Sequence, residues 1–243
     1  LADVADRHPP AQIEHHLGDL PLLLPSGAAP QLPLGPSAVV RDLDDNGCWA
    51  ALPNSAAEPD YRELRRTCLA PLGALPQGER AMGKTAAHAF CAAPHTVVPV
   101  HFDRYHNLLL QIEGTKTVTI GAYDDPALAQ REIERRFSHA ENPHVAPPTT
   151  ATFVLAPGDG LHIPPYAFHW VTNGDQASVS FSCTFHTART DRSEAVHAWN
   201  AKLRALGLSP RPPGARVGDA VKVGLLRIRH RLVTLRRRER ERP

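Results

Sequence analysis

Residues 97–116, VVPVHFDRYHNLLLQIEGTK, and residues 157–169, PGDGLHIPPYAFH, decide how this chain folds. Both segments lie in a succession of short runs, rich in β-branched and apolar residues, between residues 86 and 185. The chain has 24 prolines and 16 glycines, which punctuate strands and are excluded from helix interiors. Many short strands separated by turns predict a mainly β fold, built as a barrel or a sandwich.

A histidine and a carboxylate stand two residues apart in the first segment, at His101 and Asp103. On a strand, residues i and i+2 point to the same face, so both side chains project together while Val100 and Phe102 pack on the other side. His169, in the second segment, offers a third ligand. Two histidines and one carboxylate form the ligand set of non-haem Fe(II) oxygenases, which leaves positions for a 2-oxo acid and dioxygen. A chain with 14 histidines also produces such a pair by chance, so further residues must support the interpretation.

Lys116 gives a second signal, in the predicted strand of residues 112–120, IEGTKTVTI. The alternation places Lys116 on the same face as Val118 and Ile120. A lysine on a buried face requires an anion, and no acidic residue accompanies it there. The distal carboxylate of 2-oxoglutarate would supply that anion. The alternative is that Lys116 lies at a strand end and extends its amine to solvent.

The strand predicted at residues 178–185, SVSFSCTF, alternates hydroxyl and apolar side chains. One of its faces is therefore wholly hydroxylated and the other wholly apolar. Solvent exposure is the ordinary explanation of a hydroxyl row in an antiparallel sheet. The alternative interpretation is a hydroxyl-lined cavity.

The order and spacing of these residues resemble a known family. HxDxxxNxxxQIxGxK, beginning at His101, and GDxxxIPxxxxH, ending at His169, are similar to the JmjC/cupin-like (cupin_8 type) oxygenases, and most to their asparaginyl hydroxylase branch. The likeness covers roughly residues 86–186. It implies a double-stranded β-helix, or jelly-roll barrel, with flanking helices and a C-terminal helical extension. It also implies that His101, Asp103 and His169 bind Fe(II) and form the catalytic centre.

The resemblance further implies a 2-oxoglutarate site. Lys116 would pair with the distal carboxylate, Asn107 would lie near the metal-chelating end, and Ser182 would take the place of an asparagine that contacts the co-substrate in that branch. Val98 departs from the family, which often carries a threonine there to hydrogen-bond the 2-oxoglutarate carboxylate.

The activity implied is hydroxylation of a C–H bond in a small molecule, a peptide or a protein side chain. Asp103 favours hydroxylation over halogenation, since related halogenases vacate that position for chloride. Residues flanking the ligands are expected on the substrate side, with barrel packing as the alternative: Tyr105, His106, Tyr166, Phe168 and Trp170. Other histidines, including His88 and His197, are interpreted as surface or loop residues. A second class of function remains open, namely a non-catalytic cupin that binds a metal or a 2-oxo acid as a sensor or scaffold.

Four segments are expected along the chain. They are an N-terminal arm with helices at 1–85, with a helix-like stretch at 11–17, the catalytic barrel at 86–190, a helix and Pro/Gly linker at 191–220, and a basic tail at 221–243. The barrel carries a helical insert at 126–137, and the amphipathic helix at 193–206 is a candidate homodimer contact.

Charge and cysteines bear on partners and compartment. The net charge is +2, but residues 221–243 hold nine Lys/Arg and two Asp/Glu, so the tail is +7 and the remaining 220 residues sum to −5. A basic amphipathic tail can bind nucleic acid or an anionic membrane, although a terminal charge run is more often solvated. The four cysteines form no CxxC pair, and neither a signal peptide nor an apolar run of about 20 residues is present. These features predict a cytoplasmic protein with reduced thiols.

Overall fold

A computed structural model describes residues 1–9, 13–24, 32, 34–53, 59–74, 82–138, 143–214 and 217–225. The strands are β1 Glu14–Leu17, β2 Cys48–Pro53, β3 Thr85–Ala92, β4 Val97–His101, β5 His106–Glu113, β6 Lys116–Gly121, β7 Thr149–Leu155, β8 Gly160–Ile163, β9 Phe168–Asn173 and β10 Ser178–Phe185. The α-helices are α1 Ala2–Arg7, α2 Pro36–Arg41, α3 Pro59–Leu69, α4 Pro126–Arg136 and α5 Ala188–Ala205. A 3-10 turn spans Ala70–Ala74, and residues 217–225 are helical. None of the helices within these ranges has the length and apolar character required to cross a membrane.

The strands form two antiparallel sheets whose order interleaves distant parts of the chain. The larger sheet runs β1-β2-β3-β10-β5-β8 and the smaller one runs β4-β9-β6-β7. From β3 to β10 the chain alternates between the two sheets, except that the consecutive strands β6 and β7 are neighbours in the smaller sheet. This is the winding of a double-stranded β-helix. The predicted mainly β fold with flanking helices is therefore confirmed.

The N-terminal stretch differs from the prediction for residues 11–17. Glu14–Leu17 is strand β1, paired with β2 in the register Glu14↔Ala51, while residues 11 and 12 lie outside the described residues. So short a segment gains little from a helix, whose first turn is costly to nucleate. Pairing with β2 satisfies its backbone groups instead. The prediction of a helix there was wrong.

The main apolar core lies outside the barrel, between the larger sheet and the N-terminal helices. Phe181 and Phe185 of β10 are buried there with Val39 of α2, and Tyr61 of α3 stacks on Phe181 at a centroid distance of 5.7 Å. Since the apolar face of β10 points outward to these helices, its hydroxyl face points into the barrel. All four cysteines are free thiols, as expected.

Helices α4 and α5 pack together through a buried polar network. The carboxylate of Glu134, 1% exposed, accepts hydrogen bonds from Gln130, Asn200 and Arg204. His197 is 4% exposed and its Nδ1 accepts a 2.9 Å hydrogen bond from Gln130. The interpretation of His197 as a surface residue was therefore wrong, because its position on α5 faces α4.

The fold leaves two predicted interaction surfaces untested, the basic tail and helix α5. Residues 226–243, most of the basic tail, lie outside the described residues, so nucleic-acid or membrane binding there stays a prediction. The homodimer contact through α5 also stays a prediction.

Candidate active site

The first two predicted ligands lie at the end of β4. His101 is the last residue of the strand, and Asp103 follows Phe102. Val100 and Phe102 are fully buried against Ile133 of α4, while His101 and Asp103 line a cavity inside the barrel. The alternation read from the sequence thus places both ligand side chains on the inner side.

His169 reaches the same place from β9. It pairs with His101 in the register of β4 and β9, and the two ring centroids are 4.2 Å apart. Nδ1 of His101 lies 2.8 Å from the carbonyl oxygen of Pro99, and Nδ1 of His169 lies 2.9 Å from that of Ala167. A carbonyl oxygen only accepts, so each Nδ1 carries the proton and donates it. Each Nε2 is then left as a free lone pair, which is the tautomer a metal requires.

Burial keeps His169 neutral. The pKa of His169 is lowered to about 4, mainly by burial and secondly by the neighbouring His101, whereas Asp103 and the hydrogen bond to the Ala167 carbonyl act in the opposite direction. A metal ligand must be the unprotonated imidazole. His169 therefore presents the ligand form at neutral pH.

Asp103 is held by a short hydrogen-bonded chain. Nδ2 of Asn107 donates to Oδ2 of Asp103 at 3.0 Å, and Oδ1 of Asn107 accepts from the hydroxyl of Ser182 at 2.6 Å. The amide is therefore fixed in one orientation, with its donor on the carboxylate. Asn107 and Ser182, both expected in the co-substrate site, are brought together here.

The metal-binding atoms of His101, Asp103 and His169 do not all lie within 4.8 Å of one another. Within the described ranges, the trio whose ligand atoms all lie within 4.8 Å of one another is His186, Asp191 and Glu194. Arg104 donates to Glu194 at 2.6 Å, which places a positive charge against any cation there. The predicted triad nevertheless fits a divalent ion in its donor chemistry, with two free Nε2 lone pairs and a carboxylate.

Lys116 lies at the other end of the cavity. It is 5% exposed and its Nζ donates to Oγ of Ser180 at 2.7 Å. Burial lowers the pKa of Lys116 to about 8, since no carboxylate offsets the desolvation. The alternative in which this lysine extends to solvent is excluded, and the cavity presents a cation that an acidic ligand can neutralise.

The hydroxyl row of β10 lines this cavity. Ser180, Ser182 and Thr184 face it, and Ser178 accepts a hydrogen bond from Gln111 at 3.1 Å within the barrel. The cavity interpretation is therefore correct and the solvent-facing one is wrong. A carboxylate or carbonyl entering the cavity meets hydroxyl donors along one wall.

The expected substrate-side residues divide into two groups. Tyr105 lines the cavity, and burial raises the pKa of its hydroxyl. The others do not line it: His106, Tyr166, Phe168 and Trp170.

The residues outside the cavity pack elsewhere because of strand alternation. His106 faces outward on β5, stacks on Phe185 at 4.6 Å and contacts His162 at 3.0 Å between ring nitrogens. Tyr166 packs on Phe102, and Trp170 packs against the same apolar cluster, which includes Ile133 of α4. These side chains pack outside the cavity, in line with the packing alternative, and a role for them on the substrate side stays a prediction.

Sequence reasoning missed two cavity residues on the N-terminal strands. His88 was interpreted as a surface residue but lines the cavity from β3, where burial lowers its pKa and Asp103 raises it. Trp49 of β2 lines it as well. The sequence did contain a signal for His88, because it stands two residues before Phe90 and both side chains therefore share the strand face that lines the cavity. No local sequence pattern indicated the position of Trp49.

Part of the chain is similar in sequence to known proteins. Residues 77–192 match the family model described as JmjC domain. The chain is 31% identical over 114 residues to Jumonji C domain-containing protein 5 of Drosophila melanogaster, covering 42% of this chain and 28% of that protein. The chain thus spans under a third of the length of this curated relative.

Solved structures to which the chain is similar include two from bacteria. One is YcfD, a ribosomal oxygenase from Escherichia coli in complex with cobalt and 2-oxoglutarate, at 16% identity and a TM-score of 0.46, covering 94% of this chain and 57% of that chain. The other is an RmlC-like cupin from Shewanella frigidimarina, at 13% identity and a TM-score of 0.29, covering 43% of this chain and 68% of that chain.

Proposed function

We propose that this chain is an Fe(II)- and 2-oxoglutarate-dependent oxygenase of the JmjC/cupin-like family, because residues 77–192 match the family model described as JmjC domain. The proposed reaction is hydroxylation of a C–H bond in a small molecule, a peptide or a protein side chain. One observation carries the proposal: a barrel cavity holds two imidazoles and a carboxylate at one end and, at the other, a buried lysine with no carboxylate partner among the described residues.

The proposed ligands are His101, Asp103 and His169. Fe(II) with 2-oxoglutarate supplies the dioxygen-dependent oxidation, in which the 2-oxo acid leaves as succinate and carbon dioxide. The backbone carbonyls of Pro99 and Ala167 orient the two imidazoles through Nδ1. Such outer hydrogen bonds set the ligand orientation and usually affect metal affinity strongly.

The chain's other residues bind and orient the 2-oxo acid. Lys116 and Ser180 would hold its distal carboxylate, and Asn107 and Ser182 lie beside the Asp103 carboxylate at the metal end. Apolar side chains from both sheets, including Leu109, form the walls between these ends. They exclude water, which strengthens the ionic contact with the lysine.

The experiment is an anaerobic titration of the full chain with Fe(II) and 2-oxoglutarate, followed by the weak visible charge-transfer absorption of the ternary complex. We expect the band in the wild type, its loss in His101→Ala, and a much higher 2-oxoglutarate requirement in Lys116→Ala. Lys84→Ala removes an exposed lysine and serves as the matched control.

The outcomes separate the two classes of function. A band followed, on admission of air, by succinate formation supports the oxygenase. A folded, iron-loaded wild type that gives no band contradicts the proposal and favours the non-catalytic metal-binding alternative.

A further inference from the structure

The indole of Trp49 is a buried donor that no residue in the described part of the chain satisfies. Trp49 is 6% exposed, and its Nε1 is inaccessible to solvent and has no hydrogen-bond partner within the described residues. Leaving a buried donor unpaired costs about 1–3 kcal/mol. Native proteins keep few such groups, and an unpaired one frequently indicates a ligand or ion that completes it.

The position of Trp49 directs it into the proposed co-substrate cavity. Trp49 of β2 lies opposite Ala92 of β3, so both side chains point to the same face, and both line the cavity that contains Lys116 and Ser180. His16 of β1 packs on the indole at a centroid distance of 4.9 Å. Strands β1 and β2 thereby place a polar group of the N-terminal arm inside the barrel.

No acceptor among the described residues lies within hydrogen-bonding distance of the indole nitrogen. Apolar neighbours in the same cluster are Ala51, Ala92, Phe90 and Val98. Near its lysine end the cavity is lined by Asn173, whose Nδ2 donates to Thr96, and by the donors of Lys116 and Ser180. A carboxylate has about four lone-pair directions, more than those two residues fill.

We infer that the indole N–H of Trp49 donates a hydrogen bond to the distal carboxylate of the 2-oxo acid that Lys116 binds. Trp49 thereby selects 2-oxo acids that carry this second carboxylate. Indole nitrogen donates and never accepts, so it suits a carboxylate and not a cationic or donor group. The inference rests on the proposed function. It adds Trp49, which lies on β2 and not on the strands β3 to β10.

The test is direct binding of two 2-oxo acids to protein loaded with Mn(II). Trp49→Phe removes the N–H and keeps an aromatic ring, and Trp199→Phe on α5 is the matched control. Calorimetric titration compares 2-oxoglutarate with 2-oxobutyrate, which lacks the distal carboxylate. We expect Trp49→Phe to weaken 2-oxoglutarate about tenfold or more, since the bond is to a charged group, and to leave 2-oxobutyrate unchanged.

A second measurement reads the indole itself. In the Zn(II)-loaded protein, the ¹⁵N-indole signal that is missing from Trp49→Phe should shift downfield on addition of 2-oxoglutarate. Equal 2-oxoglutarate affinity in wild type and Trp49→Phe, or equal weakening of both acids, would overturn the inference and leave the proposed function standing. A folded, metal-loaded wild type that does not bind 2-oxoglutarate would overturn both.

Discussion

Replacing Lys116 by methionine should stabilise the protein while removing co-substrate binding. Burial lowers the lysine pKa from 10.5 to about 8. Since one pKa unit corresponds to about 1.4 kcal/mol, keeping this amine charged at pH 7 costs roughly 3 kcal/mol of unfolding free energy. Methionine has a similar volume and no charge, but it leaves the Ser180 hydroxyl without this partner, a loss of about 1 kcal/mol. The net gain expected at pH 7 is roughly 2 kcal/mol.

The pH dependence has a definite sign. Between pH 8 and 10.5 the unfolded wild type binds more protons than the folded one, so the wild type becomes more stable as pH rises. The penalty of the buried charge is fully present below pH 8 and is relieved above it. The advantage of Lys116→Met should therefore shrink as pH rises and vanish near pH 10.

The assay is urea unfolding of the metal-free protein at pH 7 and at pH 10, followed by circular dichroism. Lys84→Met, at an exposed position, should match the wild type at both pH values. With metal present, 2-oxoglutarate should raise the midpoint of the wild type and leave that of Lys116→Met unchanged. A Lys116→Met midpoint at or below the wild-type value at pH 7 would refute the desolvation argument.

Three other substitutions test separate parts of the structure. Ser182→Ala removes the hydrogen bond that fixes the Asn107 amide, which in turn holds Asp103. Metal affinity should therefore fall about tenfold in a competition titration against a fluorescent chelator. An unchanged affinity would mean that this chain of hydrogen bonds does not position the carboxylate. Glu134→Ala removes the carboxylate that Arg204 binds between α4 and α5. The free energy of unfolding, measured with urea, should fall by about 3 kcal/mol. A decrease below about 1 kcal/mol would contradict this account. Gly114→Ala should destabilise by about 2 kcal/mol or more, since φ is +66° and a Cβ would lie 2.3 Å from the Ala177 carbonyl oxygen. Gly83→Ala is the control and should be nearly neutral by the same measurement, because a Cβ there would meet only the His186 carbonyl oxygen, at 3.7 Å.

The sequence by itself determined the features that depend on strand alternation. Side chains at i and i+2 share a face whatever the strand pairs with, so His101 and Asp103 were certain to project together once residues 97–103 were extended. The same rule placed Lys116 with Val118 on a buried face, where it is found. The density of short apolar runs and turn residues likewise indicated a mainly β fold, because both are local properties.

Only the tertiary structure decided which face of each strand turned inward and what met it there. From the sequence alone, the hydroxyl face of residues 178–185 could equally have faced solvent. Phe181 and Phe185 pack on the N-terminal helices, so the opposite face, which carries the hydroxyls, faces the inside of the barrel. Residues 14–17 became a strand because β2 offered an open edge, and Trp49 entered the cavity because β2 extends the barrel sheet. Strand pairing joins residues far apart along the chain. Its outcome therefore depends on burial and hydrogen bonding summed over the whole sheet, which a local pattern does not contain.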